Sequence, residues 1–408
     1  MAKFTQEDCL MPFEIPGLKF RNQFIVASGP TTKHISQIIE AERCGWGAAS
    51  LKLAIEPAPY INRKPRYKFW KKEGYLAFSA ETRLIPEQML KLLDQSRKKT
   101  REIKLIANIA YVGNKGMAGW VKMAKKCVDA GAHAIELNMC CPNMSFNLEV
   151  SGEDNHTLQS GASLGQNAEI VGAATRIISE AVDVPIVVKL TPEGGNIGQV
   201  ARACFENGAR VVGTTANRLA IPEFDIANPA KGPYRLQHEP SMSCFSGEWI
   251  KPLSRRDVFE MRKACGSEAI ILGTGGICDY VSAVQMMMCG ADMIGICTET
   301  MKRGFDFLPD LIKNIKKFMA EHGYKSYRGF RDKEVEAIYT ADKLTLDDAY
   351  AQVDPELCTG CGRCMKIGHC YAISIVDKKA VVNPEDCTGC STCMDFCPAN
   401  AISFVNKR

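Results

Sequence analysis

The chain has 408 residues, 46% of them hydrophobic, and a formal net charge of +5 at pH 7. This length exceeds one ordinary core and suffices for a barrel of about 250 residues plus a small second domain. The charge is mild, so it does not require nucleic acid, and no apolar run approaches the roughly 18 residues of a membrane helix. The N-terminus does not read as a secretory signal, so we expect a cytoplasmic protein without a membrane partner.

A unit of one short apolar strand, a polar or glycine-rich turn and one helical segment repeats along most of the chain. The predicted strands are Phe24–Ser28, Ala48–Lys52, Leu105–Ala110, Ala134–Met139, Val184–Leu190, Arg210–Thr215, Ala269–Thr274 and Met293–Thr298. The predicted helices are Ile35–Cys44, Pro86–Lys98, Met117–Ala130, Ala168–Ala181, Ile197–Asn207, Arg255–Cys265 and Val281–Cys289. Eight strands alternating with helices predict an α/β fold, a (β/α)8 TIM barrel, with an open doubly wound sheet as the alternative.

In such barrels the active site is built from the loops that follow the strands. Three of these loops are long: Leu53–Leu84, Cys140–Gln166 and Ala216–Ser254. Long loops cost entropy to order, so they usually serve a function. The composition divides the chain into a barrel (1–308), a helical connector (309–353) and a small α+β domain (354–408) that is rich in cysteine.

The last 51 residues hold eight of the nineteen cysteines. They form two runs: Cys358, Cys361, Cys364 and Cys370, then Cys387, Cys390, Cys393 and Cys397. Two-residue gaps let thiolates wrap one cubane, and the distant fourth Cys of each run ligates the other cluster. The runs therefore predict two [4Fe–4S] clusters, with Cys397 completing the first set and Cys370 the second, in a domain that resembles a two-cluster ferredoxin.

The first run departs from the usual spacing, since five residues precede Cys370 and no Pro follows it. A pair of zinc sites is the alternative, because zinc also binds CxxC pairs. The third Cys of each CxxCxxC run and the closing Cys397-Pro398 favour iron–sulfur clusters.

A ferredoxin domain carries electrons, so the barrel requires a redox cofactor of its own. No predicted strand is followed by GxGxxG, which predicts that a separate NAD(P)H-oxidising flavoprotein subunit or a ferredoxin supplies electrons. Thr274, Gly275 and Gly276 follow strand 7, and Cys297 and Thr298 follow strand 8, where barrels bind phosphate through backbone N–H groups. FMN fits that position; tight turns without a ligand are the alternative.

Strand 4 ends in Glu136-Leu137-Asn138-Met139-Cys140-Cys141-Pro142-Asn143. This segment resembles the Asn-x-Ser-Cys-Pro-Asn loop of the dihydroorotate dehydrogenase superfamily. With the ferredoxin-like tail, the chain is most similar to dihydropyrimidine dehydrogenases, in particular the FMN and iron–sulfur subunit of the bacterial form, over residues 20–300 and 354–408. The resemblance implies an oxidoreductase that reduces or forms an activated C=C bond of a small conjugated substrate, in those enzymes the 5,6 bond of uracil or thymine.

The resemblance also implies roles for individual residues. Flavin contacts carry over to Ser28, Lys52, Lys189, Gly247, Thr274, Gly275, Gly276, Cys297 and Thr298. Substrate contacts carry over to Asn138, Asn143 and Asn217. Cys141 corresponds to the residue that protonates the substrate opposite the flavin, a task that suits a thiol with an ordinary pKa of ~8.5. A small buried hydrophobe is the alternative for Cys141, and the neighbouring Cys140 stands where the family has Ser.

Two departures concern substrate contacts. The family's Asn after strand 2 is missing from Leu76–Glu81, and Asn217 after strand 6 matches only with a one-residue shift. Uracil and thymine are therefore expected to react weakly compared with another planar conjugated compound, which could be an anion attracted by the basic run Arg63–Lys72. A solvated loop or a single-stranded nucleic acid contact are the other interpretations of that run.

Three other functional assignments remain open. The first is reduction of another conjugated substrate, such as an enoate or a different heterocycle. The second is a tRNA dihydrouridine synthase. It is disfavoured because such an enzyme usually lacks a ferredoxin tail and carries a strongly basic helical domain. The third, a pure electron-transfer subunit, is disfavoured by the intact Lys52, Cys141 and Lys189. A homo-oligomer or hetero-oligomer is compatible with each of these assignments.

Overall fold

The computed structural model describes residues 11–58, 62–140, 162–214 and 216–407. Within these residues, eight parallel strands close into a barrel surrounded by helices, which confirms the predicted fold class. The first strand pairs with the eighth at Phe24 and Ile294, and the second pairs with the third at Ala48 and Lys104. The barrel strands, numbered here in chain order, are Phe24–Val26, Ala48–Ser50, Lys104–Tyr111, Ala134–Met139, Ile186–Leu190, Val211–Thr214, Ile271–Thr274 and Met293–Ile296.

Helices alternate with these strands where apolar residues recur at helical spacing. Asn167 and Asn196 begin two of them, because each side chain accepts a backbone N–H bond at 3.0 Å. The helix predicted from Arg255 begins earlier, at Lys251, since Pro252 is compatible with a first helical turn. The α-helices around the barrel are Ile35–Arg43, Pro86–Lys99, Gly116–Asp129, Ala162–Gly165, Ala168–Ser179, Ile197–Glu206, Lys251–Cys265, Tyr280–Met288, Thr298–Arg303, Leu308–Glu321 and Lys333–Ala337. Short 3-10 turns lie at Pro30–Thr32, Glu248–Ile250 and Tyr327–Gly329.

The barrel interior changes from apolar to polar along the strands. An antiparallel hairpin of Phe13–Ile15 and Leu18–Phe20 packs at the N-terminal end. The buried cluster there includes Phe13, Phe20, Ile25, Ile106, Ala134 and Val187. Because alternate strand residues share a face, the next interior positions on strands 3, 4 and 5 are Asn108, Glu136 and Lys189, which are all buried. The polar layer thus lies toward the C-terminal ends of the strands.

The excursions after strands 2 and 6 form an antiparallel sheet, here called the lid sheet. In sheet order its strands are Arg218–Ala220, Ser243–Gly247, Tyr75–Phe78 and Tyr67–Trp70. The sequence predicted long loops here, because the pairing of Ser243–Gly247 with Tyr75–Phe78 joins two distant excursions and leaves little local signal. The basic run Arg63–Lys72 includes the edge strand Tyr67–Trp70, where lysines discourage pairing with other chains. A further short strand, Ala54–Glu56, pairs with barrel strand 3.

Contacts divide the chain into two compact units, Met1–Ala337 and Ile338–Arg408. The helix Leu308–Glu321, in the predicted connector, buries Leu308, Ile312 and Ile315 in the core of the first unit. In the second unit, Ala349–Val353 pairs with Ile402–Asn406 and Ile373–Val376 pairs with Lys379–Val382, both antiparallel. Its short helical segments are Ala341–Lys343, Cys364–Lys366 and Thr392–Asp395. No helix in the described ranges combines the length and apolar character needed to cross a membrane.

Candidate active site and cluster sites

A cavity of about 560 Å³ lies between the C-terminal ends of the barrel strands and the lid sheet. This volume falls within the range of small-molecule and cofactor sites. The cavity is lined by most of the residues predicted to contact flavin or substrate: Ser28, Lys189, Asn217, Gly247, Thr274, Gly275, Gly276, Cys297 and Thr298. Residues from separate strands and loops therefore meet at one place.

Lys52 follows strand 2 by two residues and does not line the cavity, but it pairs with Glu81, which does. Lys52 Nζ lies 3.1 Å from Glu81 Oε1, and Arg83 lies 3.9 Å from the other oxygen of the same carboxylate. Burial alone would raise the pKa of Glu81, but Lys52 and Arg83 outweigh burial and hold that pKa below its ordinary value. Glu81 lines the cavity as a carboxylate that can accept hydrogen bonds. From the sequence, Glu81 had no assigned role. Its only signal there was its place in Leu76–Glu81, the segment that lacks the family's Asn.

Strand 5 provides the second lysine. Lys189 Nζ lies 3.7 Å from Glu136 Oε1, and both side chains are buried. Burial alone would lower the pKa of Lys189, but Glu136 and neighbouring negative groups outweigh it and raise the pKa above its ordinary value. Lys189 therefore presents a positive charge to the cavity. Glu136 was also missed, although it stands two residues before Asn138 on the same strand.

The turn after strand 7 leaves backbone exposed to the cavity. Gly275 and Gly276 adopt φ values of +112° and +74°, which strongly favour glycine. A Cβ at Gly275 would collide with Ala216, and a Cβ at Gly276 would lie 2.5 Å from Lys251 Cγ. Thr298 Oγ1 donates to Ser246 Oγ at 3.1 Å, which ties the loop after strand 8 to the lid sheet. These groups form a glycine cradle of the kind that binds phosphate.

Two further predicted flavin contacts have partners within the chain. Ser28 Oγ donates to the backbone oxygen of Leu51 at 2.9 Å, so this hydroxyl joins the ends of strands 1 and 2. Burial raises the pKa of the Cys297 thiol, and the cations Lys52 and Lys189 offset burial only in part. Cys297 is therefore a neutral thiol at the cavity wall.

The predicted catalytic loop begins at the end of strand 4. Asn138 Nδ2 donates to Asn108 Oδ1 at 3.1 Å, and Cys140 Sγ donates to Asn138 Oδ1 at 3.4 Å. Asn138 and Cys140 are buried. Cys141 and Asn143 lie outside the described residues, so their predicted roles stay predictions.

In the second unit the cysteines surround two small cavities. The first is lined by Cys358, Cys361, Cys364 and Cys397. The second is lined by Cys364, Cys370, Cys387, Cys390 and Cys393. Cys397 lines the first cavity and Cys370 the second, and Cys364 lines both, while the ligand sets themselves stay predictions. Among the described residues no three His, Cys, Asp or Glu side chains are grouped closely enough to hold a single metal ion.

Backbone N–H groups point at several of these sulfurs. Ala380 donates to Cys358 Sγ at 3.4 Å, and Ala401 donates to Cys397 Sγ at 3.3 Å. Ala351 donates to Cys387 Sγ at 3.4 Å. Such bonds stabilise thiolates and raise the reduction potential of a bound cluster.

The protein-family models divide the chain as the fold does. The dihydroorotate dehydrogenase model matches residues 11–319, and the 4Fe-4S binding domain model matches residues 351–367 and 380–403. The NAD-dependent dihydropyrimidine dehydrogenase subunit PreA of Escherichia coli (strain K12) is 25% identical over 355 residues, which cover 85% of this chain and 82% of that protein. The chloroplastic dihydropyrimidine dehydrogenase (NADP(+)) of Arabidopsis thaliana is 23% identical over 347 residues, covering 81% and 78%.

A third relative is named for a different compound, dihydroorotate. The catalytic subunit of dihydroorotate dehydrogenase B (NAD(+)) of Pyrococcus abyssi is 26% identical over 322 residues, covering 76% of this chain and 95% of that protein. The predicted family and the predicted enzyme class, an oxidoreductase acting on CH–CH bonds, are confirmed. The chain belongs to the dihydroorotate dehydrogenase family and carries a 4Fe-4S binding domain.

Proposed function

We propose that the chain is an FMN- and iron–sulfur-dependent oxidoreductase that reduces, or forms, an activated C=C bond in a small conjugated substrate. The observation that carries this proposal is the convergence of Ser28, Lys189 and the glycine cradle, from separate strands and loops, on one cavity. The dihydropyrimidine dehydrogenase names of two relatives support the 5,6 bond of uracil or thymine as the family's substrate type.

The residues of the cavity suit FMN. Gly275 and Gly276 line the cavity in a positive-φ turn of the kind that binds phosphate through backbone N–H groups, and Thr298 adds a hydroxyl to the same lining. Ser28 and Gly247 line the same cavity, and Lys189 would stand beside the flavin ring. When bound, FMN supplies the two-electron hydride chemistry that no amino-acid side chain provides.

Side chains of the chain would supply the positive charge, the proton and the substrate contacts that this reaction needs. Lys189, kept positive by Glu136, would stabilise negative charge at the edge of a bound flavin. Cys141 is proposed as the proton donor to the substrate carbon, since a thiol has an ordinary pKa of ~8.5, near working pH. Asn138, Asn143 and Asn217 are proposed to orient the substrate through amide hydrogen bonds.

The residues that line the cavity also favour a particular class of substrate. Glu81 is an ionised acceptor, which favours a substrate that presents an N–H donor, such as a lactam or an imide. Ser79, in the segment Leu76–Glu81 that lacks the family's Asn, accepts the backbone N–H of Arg66 at 3.3 Å and is thereby held by the lid sheet. Lys71 lines the cavity as well. These contacts favour a second candidate, an ene-reductase for another conjugated heterocycle or acid.

We further propose two [4Fe–4S] clusters in the second unit and a separate electron donor. The two cavities lined by cysteines support the clusters. The missing GxGxxG fingerprint supports a donor protein, either an NAD(P)H-oxidising flavoprotein subunit or a ferredoxin. The name of the Escherichia coli relative describes a subunit, which agrees with a partner of this kind.

An anaerobic substrate screen tests the proposal. The purified chain, with reduced methyl viologen as donor, is offered uracil, thymine, other heterocycles and conjugated acids, and products are identified by mass. We expect at least one saturated product that carries two added hydrogens. If reduced methyl viologen bleaches the flavin but no compound of the panel yields a saturated product, the proposed reaction is contradicted.

A further inference from the structure

A buried polar network lies in the barrel interior beside the cavity. Glu136 Oε1 accepts hydrogen bonds from Ser50 Oγ, at 3.0 Å, and from Asn108 Nδ2. The same oxygen lies 3.7 Å from Lys189 Nζ, and Glu136 is only 1% exposed. A buried charge is tolerated only when it is paired and hydrogen-bonded, so these contacts keep Glu136 and Lys189 together.

The network continues toward the predicted catalytic loop. Asn108 uses its amide nitrogen on Glu136 and its oxygen to accept from Asn138, at 3.1 Å. Asn138 in turn accepts from the Cys140 thiol at 3.4 Å. Glu136 therefore holds groups on both sides of the site. On one side it pairs with Lys189, and on the other it holds Cys140, the neighbour of Cys141, through Asn108 and Asn138.

Among the described residues, few negative groups compete with Glu136 for Lys189. The groups whose charges act on Lys189 are Glu136, Cys140, Cys297 and Glu81, with Glu136 the strongest. Glu81 is already paired with Lys52 at 3.1 Å. Cys297 remains a neutral thiol, because burial raises its pKa. Glu136 is thus the carboxylate available to balance the charge of Lys189.

We propose that Glu136 is a positioning residue that holds Lys189 charged and directed into the cavity, and so sets how strongly the flavin site stabilises negative charge. This inference rests on the proposed function, because it takes FMN to lie beside Lys189. Without Glu136, the lysine would be a buried charge lacking its hydrogen-bonded counterion, and it would lose either its proton or its position.

Sulfite binding to the flavin of the purified holoprotein tests this role without turnover. Sulfite adds its lone pair to oxidised flavin and leaves the displaced electron pair as negative charge on the ring, so its affinity reports positive charge nearby. Glu136→Gln keeps the shape of the side chain but removes its charge. We expect sulfite to bind about tenfold more weakly or worse, the factor that one pKa unit represents.

A double-mutant cycle shows whether Glu136 acts through Lys189. Lys189→Met should weaken sulfite binding at least as much, and adding Glu136→Gln to it should change nothing more. A further loss in the double variant, or unchanged affinity in folded Glu136→Gln, would overturn the inference. Ser50→Ala removes one orienting contact without changing charge, should weaken sulfite binding by a smaller factor, and provides the same test if Glu136→Gln does not fold.

Asp292 offers a matched control. It is 1% exposed like Glu136, is paired with Arg262 at 2.6 Å, and immediately precedes strand 8 at the opposite end of the barrel. Asp292→Asn should lower stability yet leave sulfite affinity unchanged, whereas an equal effect of both variants would make the role of Glu136 merely structural. A wild-type chain that holds no flavin would instead refute the proposed function, and this inference with it.

Discussion

Two buried lysines, Lys52 and Lys189, are paired with Glu81 and Glu136 at distances of 3.1 and 3.7 Å. Both lysines were predictable, because a lysine at the end of a buried apolar strand requires a reason to be there. Their carboxylate partners were not, since Glu81 approaches from the excursion after strand 2 and Glu136 from a neighbouring strand. Contacts of this kind depend on tertiary structure, which the local pattern does not contain.

Replacement of the proposed proton donor gives the first prediction. Cys141→Ala should lower substrate turnover by roughly 10²- to 10⁴-fold, the usual cost of losing a general acid. Flavin and clusters should stay bound and reducible, which absorbance after dithionite addition would show. Cys140→Ala is the control and should be far milder, because its thiol is hydrogen-bonded to Asn138. If the two variants exchange phenotypes, the assignment within the pair is wrong.

The segment Leu76–Glu81 gives a prediction about uracil. Ser79 accepts the Arg66 backbone N–H and does not line the cavity, so it does not replace the Asn that the family uses on pyrimidines. The kcat/KM for uracil should therefore fall roughly 5- to 150-fold below that for the preferred substrate, equivalent to about 1–3 kcal/mol of missing hydrogen bonding. Ser79→Ala should leave uracil turnover low. A wild-type kcat/KM for uracil of about 10⁴ M⁻¹s⁻¹ or more would show that the missing Asn does not matter.

The barrel strands could be predicted from sequence because strands buried on both faces appear as short apolar runs. The lid sheet could not, because its strand Ser243–Gly247 pairs with Tyr75–Phe78 across most of the barrel sequence. Its stability comes from aromatic packing rather than from a local pattern. Trp70 and Tyr75 stack at 4.8 Å, Tyr75 and Phe245 at 4.7 Å, and Trp70 meets Tyr234 edge-on at 6.1 Å.

Trp70→Ala should therefore loosen the lid sheet while the barrel stays folded. Loss of a buried aromatic side chain costs about 3–5 kcal/mol, and Trp70 is 6% exposed. We expect faster hydrogen exchange in residues 67–78 and faster flavin release. Phe69→Ala is the matched control for hydrogen exchange, since Phe69 lies on the same strand but is 40% exposed and should leave exchange unchanged. Exchange that rises equally throughout the barrel would show that the lid is not an independent element.

At the scale of the whole molecule, the chain joins a family barrel that ends in a flavin-sized cavity to a small unit rich in cysteine. The cysteine spacing made the second unit predictable, because thiolate geometry around a cubane restricts spacing tightly. Substrate identity was much less predictable, because it depends on excursions such as Leu76–Glu81 that differ from the family pattern.

The chain alone should oxidise NADH and NADPH poorly. No dinucleotide fingerprint follows a predicted strand, and a cluster relay would be superfluous if hydride reached the flavin directly. Anaerobic mixing with either nucleotide should leave the flavin spectrum oxidised for minutes, whereas reduced methyl viologen should bleach it at once. Rapid bleaching by NADH or NADPH would contradict the need for a separate donor.

The central claim is that one chain holds a flavin and two clusters. A reductive titration of the anaerobically prepared chain, followed by absorbance, tests it most directly, with iron determined on the same sample. We predict about four electrons per chain, two for FMN and one for each cluster, together with about eight irons. Uptake of about two electrons with zinc in place of iron, or four irons only, would contradict the two-cluster assignment, and the absence of flavin bleaching would contradict the barrel site.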